Sequence, residues 1–151
     1  MASPEAVTVS GETTVTVRDE PAARERFGWD TRSFTIRCHS GRVLEGRWAG
    51  VPVLSLTDAA AVAPETTHLA VTGRDDHRAL VDVRAAAGAL LAFECEALEL
   101  VRGPGGEATC DPARLPRFLA AVESPRTVQN VEAIEARRLA GDEDPAAEET
   151  V

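Results

Sequence analysis

The alternation of apolar and polar positions organises the chain around one stretch, FTIRCHSGRVLEGRWAGVPV, residues 34–53. Phe34, Ile36 and Cys38 fall on one side, Thr35 and Arg37 on the other, which is the period-two signature of a half-buried strand. The run ends on Cys38, and His39, Ser40 and Gly41 read as a turn. A second short strand, roughly Val43 to Trp48, leads to a Gly50-Val51-Pro52 corner. The pattern thus mounts a thiol at a strand end, with Arg37, Arg42 and Arg47 around it. Strand ends and the loops after them are common places for chemistry, and nearby arginines favour a thiolate.

The rest of the chain is punctuated in the same way. Ala6 to Ser10 and Thr13 to Arg18 predict two strands about Gly11-Glu12, a hairpin pattern. Pro21 to Phe27, PAARERF, predicts a short helix stopped by Gly28, and Leu54 to Ala63 a second one, capped by Ser55 or Thr57 and ended by Pro64. Thr67 to Thr72 and Arg78 to Val83 form a hairpin pair about the turn residues 73–76. Ala85 to Ala89 is a small helical or turn segment. Leu90 to Cys95 is continuously apolar and predicts a buried strand, with Leu98 to Arg102 pairing back on it. Gly103 to Gly106 is a loop. Ala113 to Val122 predicts a short helix interrupted by Pro116. In Thr127 to Ala136 the alternation is imperfect and fits either a strand or a helix. Strands joined by hairpins, with short helices between and no regular βαβ alternation, predict one α+β domain over residues 6–139 with a mixed, barrel-like sheet. Residues 1–5 are expected to be loose and the acidic residues 140–151 disordered.

Composition narrows the function classes. The 151 residues suit one domain with a proper core. The net charge is −9, all sixteen basic residues are arginine, and there is no tyrosine. Such a charge opposes nucleic acid and anionic membrane as partners. Acid excess without lysine reads as high-salt adaptation or as nucleotide-composition drift. Three cysteines with no CxxC pair argue against a disulfide framework and for a reducing cytoplasm. No secretory pattern opens the chain, and no apolar run approaches the ~18 residues of a membrane helix.

Few residues carry chemistry. His68 and His77 read as structural or solvated. Cys95 reads as a small buried hydrophobe and Cys110 as a loop residue without an evident partner. Gly103 to Gly106 lacks the strand-to-helix setting of a phosphate cradle. Cys38 has two readings, a buried core residue or a soft thiolate ligand for a transition metal. His39 adjoins it, but adjacent strand residues point to opposite faces, which disfavours a Cys-His dyad.

The ordered set of pieces resembles the molybdopterin-binding domain of the sulfite oxidase family. The opening VTVSGETTVTV, the strand ending in Cys38, and Arg42 four positions on are similar to that family. So are Trp48-Ala49-Gly50-Val51-Pro52-Val53, Leu90-Leu91-Ala92-Phe93-Glu94, and Thr127-Val128-Gln129-Asn130-Val131 with Ile134-Glu135. The resemblance implies that family's domain fold and a molybdenum–molybdopterin cofactor. It makes Cys38 the metal ligand and catalytic centre, and Arg37, His39, Ser40, Gly41 and Arg42 the cofactor-binding residues. It implies oxygen-atom transfer with a small-molecule substrate or an electron-transfer partner. The chain departs from the pattern at 102–108, where an Arg-Leu pair is missing, and at Gln129, where lysine is usual. Two other classes stay open: a cofactor-free binding module on the same scaffold, and a thiol-based redox or acyl-transfer enzyme using Cys38.

Overall fold

A computed structural model describes residues 6–37, 41–75, 77–120 and 128–139. Two sheets dominate it. The first has five strands in the order β2-β1-β9-β5-β6, made of β1 (Val7–Ser10), β2 (Thr14–Val17), β5 (His68–Gly73), β6 (Arg78–Asp82) and β9 (Val131–Arg137). The second has four in the order β3-β4-β7-β8, made of β3 (Asp30–Arg37), β4 (Val43–Pro52), β7 (Leu90–Arg102) and β8 (Arg117–Leu119). All pairs are antiparallel except β1 with β9, which is parallel. Three short helices, α1 (Pro21–Phe27), α2 (Val53–Ala59) and α3 (Val83–Ala86), join the strands.

The main core lies between the sheets and gathers Val7, Val9, Leu69, Val71 and Ile134 from the first sheet with Val51, Leu91, Phe93 and Phe118 from the second. Helices α1 and α2 close it with Phe27 and Leu56. A smaller outer core sits on the other face of the four-stranded sheet, built from Phe34, Ile36, Leu44, Trp48, Leu90, Ala92 and Leu119. Two cores explain the run that shows no alternation. Leu91 and Phe93 face one core, Leu90 and Ala92 the other, so β7 is apolar on both sides here, as buried strands are.

Several expectations need correction. β7 is one continuous strand rather than Leu90–Cys95 with Leu98–Arg102 folded back on it. Its pairing to β4 shifts register at three places, and such bulges bend a strand without ending it. β4 likewise runs on through the expected corner to Pro52. Helix α2 starts at Val53, ends by Ala59, and has Pro52 rather than Ser55 or Thr57 at its N-cap. The segment expected as a helix from Ala113 contains a 3-10 turn, Pro112–Arg114, and then strand β8. Residues 121 and 122 of that expected helix lie outside the described residues. β9 resolves the strand-or-helix ambiguity, and its irregular alternation has a cause. Thr72 faces Ala133 and Gly73 faces Val131, so Glu132 is bulged out, and Val131 and Ile134 reach the same core three positions apart.

The largest correction concerns the cysteines. Cys95 and Cys110 form a disulfide, with Cα atoms 5.7 Å apart. Cys95 is therefore not a free buried hydrophobe, and Cys110 has a partner. The expectation of a reducing cytoplasm loses one of its grounds. Among the described residues no helix is long and apolar enough to cross a membrane.

Helix α1 is fixed to the four-stranded sheet by a polar and aromatic contact. Arg24 lies 3.6 Å above the Trp29 ring and bonds Asp19 and Glu94, both at 2.9 Å. Trp29 stacks on Phe93 with centroids 6.3 Å apart. At the start of β3, Arg32 Nε donates to Asp30 at 2.7 Å and Arg32 Nη1 to the Gly88 carbonyl at 3.1 Å. The hydrogen bond from Arg32 holds the Asp30 carboxyl below its ordinary pKa. A depressed carboxyl adds stability that is full above its unfolded pKa and fades as pH falls through the folded one. An NMR titration should therefore place the Asp30 midpoint below that of an unperturbed aspartate, and Arg32→Gln should raise it. A midpoint unmoved by that change would contradict the assignment.

Candidate functional site

Cys38, His39 and Ser40 lie outside the described residues, so the site is built from what flanks them. β3 ends at Arg37 and β4 begins at Val43. In register, Arg37 faces Val43, and Val43 faces Arg102 at the end of β7. Three neighbouring strand ends thus bring Arg37, Arg42 and Arg102 to one corner of the sheet, with Arg37 and Arg42 on either side of residues 38–41 in sequence.

The loop after β7 forms one wall of this corner. Gly103 has φ +108°, a conformation open to glycine and strained for other residues. A Cβ there would lie 2.6 Å from Arg42 Cα and 2.7 Å from the Gly41 carbonyl. The Gly103 backbone therefore packs directly on Gly41-Arg42. Gly105 is adjacent, and a Cβ on it would come 3.7 Å from Arg42 Nε and Cζ.

The arginines are not neutralised locally. Arg42 Nε is buried without a hydrogen-bond partner, a costly state for a charged donor. Arg37 and Arg102 are exposed, and no ion pair is found for either among the described residues. In a chain with 25 acidic residues and 16 basic ones, three arginines without an ion pair gather at this corner, a lack that Arg18, Arg47 and Arg84 share singly elsewhere among the described residues. Arg24, Arg32, Arg74, Arg114 and Arg137 are each within ion-pair distance of a carboxylate.

The surroundings limit what the corner can hold. The second row along the sheet pairs Thr35 with Glu45 and Glu45 with Glu99, so two carboxylates face each other two rows away. A cleft of about 550 Å³ opens beside Gly105 and is lined by Leu98, Glu99, Leu100, Gly106, Glu107 and Ala108. Its lining carries carboxylates and no arginine. Arg47 is also displaced from the corner. It pairs with Ser33 and Ala97, four residues and about 13 Å along β4 at ~3.3 Å per residue.

Of the residues expected to bind cofactor, Arg37, Gly41 and Arg42 meet at this corner. His39, Ser40 and the thiol of Cys38 lie outside the described residues. Arg47 does not join them. Arg102, Gly103 and Gly105 were missed as site residues. The signal for them was a glycine pair directly after an arginine, but its meaning depended on the long-range pairing of β7 with β4. Among the described residues no group of three or more His, Cys, Asp or Glu can hold a metal ion.

The class of molecule is defined by the fold: a two-sheet, mainly antiparallel domain with one parallel pair and short connecting helices. Among solved structures, this architecture is similar to the sulfane dehydrogenase SoxCD from Paracoccus pantotrophus. The TM-score is 0.66 at 17% identity, over 95% of this chain and 41% of that one. The chain thus spans about two-fifths of the solved chain it matches. At this identity the likeness establishes a distant relation of fold. No family model and no curated protein matches the chain.

Proposed function

We propose that this chain is a molybdopterin-dependent oxidoreductase-like domain of the sulfite oxidase type. Cys38 is the protein's thiolate ligand to molybdenum. Arg37, Gly41 and Arg42, with His39 and Ser40, hold the anionic pterin, and Arg102 joins them. The substrate is a small molecule, or the partner is an electron carrier. The reading is supported by the sequence resemblance and the distant likeness of fold, and one observation carries it: the buried, unpartnered Nε of Arg42, four positions after Cys38.

The donor set fits a phosphorylated group. Arg37, Arg42 and Arg102 offer positive charge, and glycines at 103 and 105 keep side chains of the loop after β7 off Arg42. Guanidinium suits phosphate because its planar fork gives paired hydrogen bonds. When bound, the group supplies the oxygen-atom transfer. The chain's own residues bind it and orient it, and the arginines favour the thiolate form of Cys38.

Removing one charged hydrogen bond costs about 1.5–3 kcal/mol, or ~10- to 150-fold in affinity. Arg42→Gln should therefore weaken binding of the isolated phosphorylated pterin by that factor, measured by fluorescence titration. Arg47→Gln, well down β4, should leave binding unchanged. Equal losses in the two variants would remove the corner as the binding site.

The acidic lining of the neighbouring cleft favours a second reading, a cofactor-free binding module on the same scaffold. Here the chain purifies without molybdenum from a host that makes the cofactor, and Cys38→Ser retains partner binding. Loss of partner binding in Cys38→Ser would argue against it.

A further inference from the structure

The outer core is covered by a flap, residues 103–115, that joins β7 to the segment before β8. Residues 103–107 are exposed, and the flap's apolar contacts with the outer core are Ala108 and Leu115. Among the described residues no backbone hydrogen bond ties 103–110 to the rest of the chain. Anchoring resumes at Arg114, whose carbonyl accepts from Asn130 N–H at 3.0 Å. Between Arg102 and Arg114 the flap is thus fastened at its start by Gly103 against Gly41-Arg42, and beyond that by the packing of Ala108 and by the Cys95–Cys110 bond. Segments with few buried contacts and few backbone bonds are the ones that open locally.

We infer that the Cys95–Cys110 disulfide is a redox latch on this flap. In the oxidised state Gly103 and Gly105 are held against Arg42, and Leu98 and Leu100 are half-buried beside Ala108. A small dithiol reductant reaches the half-buried sulfurs. Its thiolate attacks one sulfur, and its second thiol resolves the mixed disulfide. Two electrons pass to the protein, two protons end on Cys95 and Cys110, and the reductant leaves as its own disulfide. The flap then swings free between Arg102 and Arg114, which uncovers the outer core beside β7 and opens the glycine wall of the arginine corner. The latch does not depend on which anion Arg42 holds.

The test is hydrogen exchange on the full chain, oxidised and after dithiothreitol. The hydrogen-bonded amides of the flap, Ala113, Arg114 and Leu115, should exchange faster by about tenfold or more once reduced, while β5 and β9 keep their rates. A Cys95→Ser/Cys110→Ser double variant should show the fast flap without reductant, and Cys38→Ser should behave as the wild type. Unchanged flap exchange on reduction overturns the latch. So does a rise across both sheets, because the bond would then be a staple for the whole fold. A double variant as protected as the oxidised wild type also overturns it.

Discussion

Replacing Trp48 by alanine is expected to lower the unfolding free energy by about 3–5 kcal/mol, the cost of emptying a large aromatic site in a core. Trp48 is 1% exposed at the centre of the outer core. Its ring centroid is 6.2 Å from that of Phe34, and the Arg117 guanidinium lies 5.9 Å from it. The outer core has few large side chains, so its neighbours have little with which to refill the space. At ~2–4 °C per kcal/mol for a chain of this size, the melting temperature should fall by about 6–20 °C. Urea unfolding followed by far-UV circular dichroism measures the change. A loss below ~1 kcal/mol would mean that the outer core contributes little and that the main core alone holds the four-stranded sheet.

Gly50→Ala should be comparably damaging, although it adds a single methyl group. Gly50 sits where β4 shifts register against β7. A Cβ there would overlap the Leu91 carbonyl and come 2.7 Å from Ala92 Cα. These are backbone atoms in a buried strand and cannot turn aside as a flexible side chain can. Overpacking typically costs ~1–3 kcal/mol and occasionally more, and this site belongs at or above the upper end. Gly88 supplies the control, because a Cβ there meets nothing within 4 Å. Gly88→Ala should be neutral or stabilising by about 0.4–1 kcal/mol. Equal effects at the two positions would contradict the close approach of β4 to β7.

The contrast between these glycines shows what sequence patterns carry. Local patterns were readable: the VTV and TVTV hairpin, the PAARERF helix with its Gly28 stop, the β5–β6 pair, and the second half of β3 from Phe34 with the start of β4, whereas β3 begins four residues earlier, at Asp30. Features set by distant pairing were not. The continuous reach of β7 past Cys95 is hidden because its bulges break the alternation that marks a strand. β8 was hidden by Pro116, which reads as a helix interruption when nothing shows the neighbouring strand. The pairing of β9 between β1 and β5 joins segments about sixty residues or more apart and leaves no local trace. Cys95 and Cys110 lie fifteen positions apart, and only the fold of the flap over the outer core makes them neighbours.

The candidate site divides in the same way. Arg37, Gly41 and Arg42 were legible because they flank a thiol at a strand end within one stretch. Arg102 and the glycines after it join them through the register of β7 against β4. Arg47 was misplaced because proximity in sequence was taken for proximity in space, whereas an extended strand carries successive residues steadily apart. The acidic cleft beside Gly105 could not be foreseen, since its carboxylates come from β7 and from the flap.

The proposed function requires the arginine corner to hold an anionic metal cofactor beside Cys38. The measurement that bears on it most directly is the molybdenum content of the purified chain, made in a host that synthesises the cofactor, beside that of Cys38→Ser. A near-equimolar metal content in the wild type, lost in the variant, is the expected result. A wild-type protein that is folded but carries no molybdenum would contradict the account and leave the scaffold to the binding-module reading.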